Sequence, residues 1–220
     1  ILASYLLVII ISSTTVAKSA TDAQQPSVIQ AAEKEAWELL DNIGGDRAFQ
    51  ATFLYTSQAH QGSTSAPQEG HVAVQEHKYR LDLQDQLIMN CGDTVWTYLK
   101  KANEVQIRSN DPEQAATVPW NVLTRYRQEY HCTGMHDQMI ENSACKIIDL
   151  QAQDADHVLP RIKLTIDQAS NHLQCLEAQD QDETLHIFEI VSFEPDAVFD
   201  AAFFQFDPTA HRNVEIIDMR

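Results

Sequence analysis

Cysteine is the residue type in this sequence with the most definite chemistry, because two thiols can form a disulfide and several can bind a metal ion. The four cysteines are Cys91, Cys132, Cys145 and Cys175. Four cysteines allow three pairings. Cys132 and Cys145 flank a mostly polar stretch, residues 133–143, that is typical of a hairpin loop. We therefore predict a disulfide between these two, with the other two cysteines paired or free.

The nine histidines are the other candidates for chemistry. His131 and His136 are close to Cys132 in the chain, so zinc is the alternative to the disulfide, although the sequence has no C-x-x-C spacing. H-E-x-x-H, G-x-S-x-G and G-x-x-x-x-G-K-[ST] are all absent. Zinc protease, α/β-hydrolase and P-loop functions therefore lack their defining motifs.

Acidic residues dominate the charge of the chain. Lysine and arginine total 15 against 32 aspartates and glutamates, which gives a net charge of −17. This balance argues against binding to nucleic acid or to an anionic membrane surface. The acidic runs at 154–156 and 180–183 could bind calcium, but both lack the glycine and distal glutamate of a calcium loop. They fit solvated hairpin turns better.

The first segment has the pattern of an export signal. Residues 1–17 carry no charge, residues 6–11 are all apolar, and Thr15 and Ala17 are the small residues that a signal peptidase prefers. We expect a signal peptide over 1–17, a linker over 18–26 and one domain over 27–220. An uncleaved membrane anchor is the alternative. Export would place the cysteines in an oxidising compartment, and no cysteine at the cleavage site suggests that the mature chain is not lipid-anchored.

Two amphipathic helices are indicated. The first begins at Ser27, which forms a capping box with Gln30, and stops at Gly44. Its apolar residues recur at steps of mainly three and four: Ile29, Ala32, Ala36, Leu39, Leu40 and Ile43. The second is short and opens with Pro119. Its apolar residues are Trp120, Val122, Leu123 and Tyr126.

The rest of the chain alternates between apolar and polar residues, as half-buried strands do. About ten short antiparallel strands with few helices predict an α+β, mainly β fold, a strongly curved sheet or barrel with the helices on its concave apolar face. Such a fold offers a groove for apolar ligands, the alternative being an ordinary packed core. The predicted strands are 49–56, 78–83, 87–90, 95–99, 104–107, 130–133, 145–150, 162–167, 172–178, 185–193 and 214–218.

Eight pieces of the sequence follow one another in a characteristic order: F-Q-A-T-F (49–53), Q-E-G (68–70), K-Y-R-L-D-L (78–83), N-C-G-D-T-V-W-T-Y-L (90–99), N-E-V-Q-I (103–107), P-W-N-V-L (119–123), F-Q-F (204–206) and V-E-I-I-D-M-R (214–220). In this order they resemble the LolA family of periplasmic lipoprotein carriers. The resemblance implies an incomplete, half-open antiparallel β-barrel with a helical lid, whose cavity shields the acyl chains of lipoproteins. It also implies no catalysis and no cofactor.

By the alternation and the resemblance, eight side chains are expected to line the lipid-binding cavity, with core packing as the alternative for each. They are Phe49, Phe53, Tyr79, Leu81, Leu83, Trp96, Tyr98 and Leu123. The implied protein is a periplasmic monomer that accepts acylated lipoproteins from an inner-membrane ABC releasing complex and hands them to the outer membrane, where its acceptor is undefined. The alternative function is a lipid- or lipoprotein-sensing regulatory module on the same fold.

One departure from the family concerns the lid. Better-known members carry an Arg-Pro pair before the strand that matches 79–81, and the arginine holds the lid. Here that stretch reads Q-E-H-K (75–78), and Leu81 replaces a tryptophan. Lys78 or Arg80 could substitute for the arginine if its head group reaches lid carbonyls, and a disulfide could share that task.

Overall fold

The computed structural model describes residues 25–44, 47–60, 62–110, 120 and 122–220. Within these residues the chain forms two α-helices, twelve strands and a 3-10 turn at Pro208–Ala210. The helices are α1 (Gln25–Ile43) and α2 (Val122–Glu129). The strands are β1 (Phe49–Gln58), β2 (Gln68–Gln75), β3 (Lys78–Asp82), β4 (Gln86–Asn90), β5 (Thr94–Leu99), β6 (Glu104–Ser109), β7 (Tyr130–Ile140), β8 (Ser143–Ala152), β9 (Arg161–Asp167), β10 (Leu173–Gln179), β11 (Leu185–Pro195) and β12 (Glu215–Asp218).

All twelve strands belong to one sheet, in the order β12-β6-β5-β4-β3-β2-β1-β11-β10-β9-β8-β7. The sheet stays open because β12 and β7 form its two edges and do not pair with each other. The predicted mainly β, half-open fold is therefore confirmed. One pairing differs from the prediction, since β12 runs parallel to β6 while the other neighbouring strands are antiparallel. Residues 196–214, which follow β11, carry the chain back across the sheet so that β12 can pair with β6.

Alternation divides the side chains of each strand between two faces. In β1, Phe49, Ala51 and Phe53 are buried on the face that carries the helices, which we call the inner face, whereas Gln50 lies on the outer face. The buried apolar side chains of α1, Trp120, α2, β1–β3 and β7–β11 form one cluster, the inner cluster. From β3 to β8 there are six strand spacings, about 29 Å in a flat sheet. Because both strands pack into the same cluster with two helices, the sheet curls around them.

Most predicted elements agree with the structure to within two residues at each end, but β2 (Gln68–Gln75) was not predicted as a separate strand, and two further differences concern α1 and β7. Helix α1 begins at Gln25, two residues before the predicted start and inside the expected linker. The predicted signal peptide, the rest of the linker and Pro119 lie outside the described residues. The expected loop over 133–143 is instead strand up to Ile140, followed by a two-residue turn at Glu141 and Asn142 with φ of 52° and 151°. The second half of β7 lies at an exposed edge of the sheet. Its sequence therefore lacks the apolar alternation that would predict a strand.

None of the helices in the described residues has the length and apolar character that crossing a lipid bilayer requires.

Candidate functional site

The two helices and Trp120, which we call the lid, are joined by aromatic and polar contacts. The rings of Trp37 on α1 and Tyr126 on α2 lie 5.0 Å apart. The Tyr126 hydroxyl donates to the Asp41 carboxylate, which also accepts from Arg127 at 2.5 Å. Burial and the Asp41 carboxylate raise the pKa of Tyr126 to about 12. The tyrosine is therefore a neutral donor at physiological pH, and it ties α2 to the last turns of α1.

The end of α1 is packed closely and held by an arginine. A Cβ on Gly44 would lie 2.4 Å from the Leu123 carbonyl oxygen, so only glycine allows this approach to α2. Just after the helix, Arg47 donates to the Asn42 carbonyl at 3.1 Å and, through Nε, to Asp196 at 2.8 Å. The side chain of Arg47 therefore links the last turn of α1 to the end of β11.

Arg80, one of the two substitutes considered for the family's lid arginine, does not hold the lid. It lies on the outer face, where its guanidinium donates to the Phe203 carbonyl at 3.1 Å and sits 5.0 Å from the centre of the Phe203 ring. The expectation fails for Arg80 because it alternates with Tyr79 and Leu81, which point inward. An arginine-to-lid-carbonyl bond does exist, but it comes from Arg47.

Polar contacts attach α1 to the edge of the sheet. Glu33 accepts a hydrogen bond from the backbone N–H of Cys132 on β7 at 3.4 Å. Glu35 lies 3.3 Å from the ammonium group of Lys146 on β8. Through these contacts α1 covers the free edge of β7, which would otherwise offer unpaired backbone groups to another strand. Both are partly exposed, so they hold the lid with modest energy.

Most of the predicted cavity residues meet under the lid. Five belong to the inner cluster and are at most 7% exposed: Phe49, Phe53, Tyr79, Leu81 and Leu123. Leu83 is partly buried and packs against the same cluster. In this lid-closed arrangement the side chains fill the space between sheet and helices. An acyl chain could therefore occupy this surface only if the lid moves away from the sheet.

Trp96 and Tyr98 do not belong to this wall, contrary to the prediction. Leu81 lies opposite Ile88, and Ile88 lies opposite Thr97, so the residues on either side of Thr97 point to the outer face. There a second buried cluster, the outer cluster, comprises Leu87, Met89, Tyr98 and Val105, packed with Trp96, Phe206 and Val214. The β5 sequence has large apolar residues at alternate positions, but only the register with β4 decides which face they occupy.

Two aromatic residues that sequence reasoning left out of the site lie at its centre. The Phe53 ring is 5.2 Å from Trp120 and 5.5 Å from Phe188, and these two rings are 5.6 Å apart. Gly70 makes room for this group, because a Cβ there would lie 2.4 Å from Phe53 Cζ. The available signals were the tryptophan directly after Pro119 and the phenylalanine within the predicted strand 185–193.

The predicted disulfide is wrong for this structure. All four cysteines are free, and the register places Cys132 opposite Leu150 but Cys145 opposite Gln138. The two thiol-bearing positions are thus separated by five steps of the ladder, about 17 Å. Burial raises the pKa of the thiols of Cys132 and Cys145, so both are protonated at physiological pH.

The other two cysteines lie far apart in the sheet. Cys91 follows β4 and Cys175 lies on β10, five strand spacings away in the sheet, so these two cannot pair. Burial raises the pKa of Cys175 to about 12. In the part of the chain that the structure describes, no three His, Cys, Asp or Glu side chains are grouped as a metal ion would require.

The outer face carries a groove of about 300 Å³ across β11, β1, β2 and β3. Its lining includes charged and polar side chains, among them His71, Arg80, Asp82 and Glu194, with Phe203 at one side. Burying a hydrocarbon chain against these groups would leave charges without water or partners. The groove is therefore a poorer apolar site than the inner cluster.

Of three similar solved structures, the first supports this fold. An uncharacterized conserved protein from Thermus thermophilus is 13% identical, with a TM-score of 0.53 and coverage of 84% of this chain and 99% of that one. A LolA superfamily protein from Nitrosomonas europaea is 11% identical, with a TM-score of 0.46 and coverage of 80% and 99%. A domain from Vibrio parahaemolyticus, provisionally assigned as an outer membrane lipoprotein-sorting protein, is 10% identical, with a TM-score of 0.45 and coverage of 80% and 97%.

Sequence comparison identifies the family. A search of curated protein sequences finds no significant match. The family model described as outer membrane lipoprotein carrier protein LolA matches residues 45–207, which is 163 of the 220 residues. This region runs from the end of α1 through β11 and into the segment that covers the outer cluster. The chain therefore belongs to the LolA family.

Proposed function

We propose that this chain is a periplasmic carrier that shields the acyl chains of lipoproteins and transfers them from the inner to the outer membrane. One observation carries the proposal: the apolar inner face of the sheet is covered by two helices, and the polar links between α1 and the sheet are partly exposed and contribute modest energy. Family membership supplies the class of cargo. No catalytic step is needed, because an acyl chain only replaces the lid helices on the surface of the inner cluster.

The two halves of such an exchange offset each other in free energy, so its net cost is small in either direction. Opening the lid exposes apolar side chains to water, and an acyl chain that takes the place of the lid recovers about 0.8 kcal/mol per buried methylene. The lid and the cargo therefore compete for the same apolar surface. This competition makes the affinity for acyl chains lower than that of a cavity that is permanently open. A carrier needs this moderate affinity because it must release what it binds.

The proposed donor is an inner-membrane ABC lipoprotein-releasing complex, and the recipient lies at the outer membrane. The net charge of −17 supports a carrier that does not adhere to anionic lipid between these steps. The charge leaves binding to acyl chains unaffected, since the inner cluster consists of apolar and aromatic residues.

The three tryptophans allow a direct test of where acyl chains bind. Trp120 lies in the inner cluster, Trp37 packs against it, and Trp96 packs in the outer cluster. We expect a brominated palmitoyl lipid to quench the emission of a variant that retains only Trp120 (W37F/W96F). A matched variant that retains only Trp96 (W37F/W120F) should keep its emission. Quenching of Trp96 alone, or of neither variant, would contradict the proposal.

A sensing module on the same fold would bind acyl chains equally well, so a cellular experiment separates the two functions. Depletion of a carrier should leave lipoproteins in the inner membrane, which fractionation and immunoblotting would detect. Depletion of a sensor should change a stress response and leave lipoprotein location unchanged. The second outcome would replace the carrier function with the sensing function.

A further inference from the structure

We propose that the indole N–H of Trp120 is a recognition group that donates a hydrogen bond to the ester carbonyl of a bound acyl chain. This inference rests on the proposed function, since it names the chemical feature of the cargo that the inner cluster recognises. It assigns a polar specificity contact to a site that is otherwise apolar.

The starting observation is a buried donor without a partner. Trp120 is fully buried, and within the described residues its Nε1 has no hydrogen-bond partner. A buried N–H without an acceptor is costly, and buried tryptophans usually find one. The closed lid therefore holds a donor that a ligand with an acceptor oxygen could satisfy and that a plain hydrocarbon could not.

Tyr55 is a nearby aromatic residue whose polar group, unlike that of Trp120, has a hydrogen-bond partner. The Tyr55 hydroxyl is 2.9 Å from His186 Nδ1, and His186 Nε2 is 3.0 Å from the Asp180 carboxylate. These three residues form a satisfied polar chain in which the histidine and aspartate side chains are each 25% exposed. We call this chain the polar rim. It needs no ligand, whereas the N–H of Trp120, whose ring contacts the same Phe188, has no partner in the described part of the chain.

The position of Trp120 fits the polar end of an acyl chain. Phe188 packs against both Trp120 and Tyr55, with ring centres 5.6 Å and 5.0 Å away. One aromatic ring thus lies between the unpaired indole and the polar rim. A lid that opens carries Trp120 with it, so its N–H would meet an ester carbonyl from the lid side while the hydrocarbon chain lies along the inner cluster.

Two lipids with the same chains and different linkages test this contact. Dipalmitoylglycerol has ester carbonyls, and dihexadecylglycerol has ether oxygens in their place, which are weaker acceptors. In competition with a fluorescent palmitoyl probe, we expect the wild-type protein to bind the diester at least fivefold more tightly. Trp120→Phe keeps an aromatic ring and removes the N–H, so its preference should fall to near unity.

Trp96→Phe is the matched control, because it removes an indole N–H from the outer cluster and should retain the preference for the diester. Thermal unfolding of all three proteins would verify that they are folded. A measurement on the wild type needs no variant: one of the three tryptophan indole N–H signals in NMR should move downfield with the diester and not with the diether.

The outcomes separate this inference from the proposed function. Equal binding of the two lipids by the wild type, or a preference that survives in Trp120→Phe, would overturn the role of Trp120 and leave acyl binding intact. Failure of either lipid to displace the probe, together with no binding of the probe itself, would overturn the proposed function as well.

Discussion

Phe53 illustrates how closely the inner cluster depends on the shape of single side chains. Its ring is fully buried against Trp120 and Phe188, and the absent side chain of Gly70 leaves the space for it. A ring enclosed on these sides has little freedom to move away from a new methyl group. The φ angle of Gly70 is not in the left-handed region, so the backbone conformation does not require glycine there. Glycine is needed because the Phe53 ring occupies the space of a side chain.

Gly70→Ala should destabilise the fold by about 1–3 kcal/mol because the added Cβ collides with the Phe53 ring. Phe53→Leu provides the control, since a smaller side chain accommodates the methyl group. In urea unfolding, the double variant should be more stable than the sum of the two single changes predicts, by about 1 kcal/mol. Simple additivity would show that Gly70 and Phe53 are not in contact as described.

Single residues also show which parts of the site the sequence could predict. Alternation placed Phe49, Phe53, Tyr79 and Leu81 on one face, and the structure agrees. The same rule failed for Trp96, because the outer face of β5 is covered by a distant segment that contributes Phe206 and Val214. No local pattern could reveal that cover, since it depends on where the C-terminal residues return to the sheet.

At the level of elements, polar contacts join the two helices of the lid and add to their apolar packing on the sheet. The hydrogen bond from Tyr126 to Asp41 and the ion pair of Asp41 with Arg127 join the two helices. Arg47 fixes the end of α1. The sequence indicated both helices through their apolar periodicity, but the polar links could not be predicted because they join residues 86 and 149 positions apart.

The Tyr126–Asp41 bond predicts a pH dependence of stability. The folded-state pKa of about 12 lies above the unfolded value near 10, so the protonated hydroxyl stabilises the fold. This contribution is complete below pH 10 and is lost as the pH rises toward 12. We expect Tyr126→Phe to cost about 1 kcal/mol at pH 8.

The difference in stability between wild type and Tyr126→Phe should then shrink between pH 10 and 11.5 in urea titrations. Tyr79 and Tyr130 also have raised pKa values because they are buried, but they are present in both proteins. Their contributions cancel in the comparison. A difference that stays constant over this range would show that Tyr126 does not titrate through this bond.

Fixing the lid to the sheet tests whether it must move. Glu35 on α1 and Lys146 on β8 form an ion pair, so cysteines at both positions would accept a short thiol-reactive crosslinker. We expect the crosslinked Glu35→Cys, Lys146→Cys protein to bind a fluorescent palmitoyl probe at least tenfold more slowly than the uncrosslinked one.

The matched control places the same crosslinker within α1. Lys34 and Glu38 are an exposed i, i+4 pair on this helix. The crosslinked Lys34→Cys, Glu38→Cys protein leaves α1 free to move as a unit and should bind the probe at the wild-type rate. Equal rates in the two crosslinked proteins would show that acyl chains enter without movement of α1.

The whole molecule is one open sheet that curls around its lid and carries a second, smaller apolar cluster on its outer face. The mainly β architecture followed from alternation over most of the chain. The parallel return of β12 and the cover of the outer cluster did not, because both depend on contacts between residues about 100 positions apart. Two apolar surfaces on one sheet then serve different purposes: the outer one fixes the C-terminal segment, and the inner one is proposed to exchange its cover.

The most direct test of this account is release of lipoproteins from membranes. Spheroplasts of the source cell, with their inner membranes and releasing machinery intact, would be incubated with the purified protein. We expect acylated lipoproteins to appear in the supernatant in a one-to-one complex with the protein, as measured by size exclusion and native mass spectrometry. The lid-crosslinked Glu35→Cys, Lys146→Cys protein should release none. Lipoproteins that stay in the membrane fraction with the wild-type protein would contradict the carrier function.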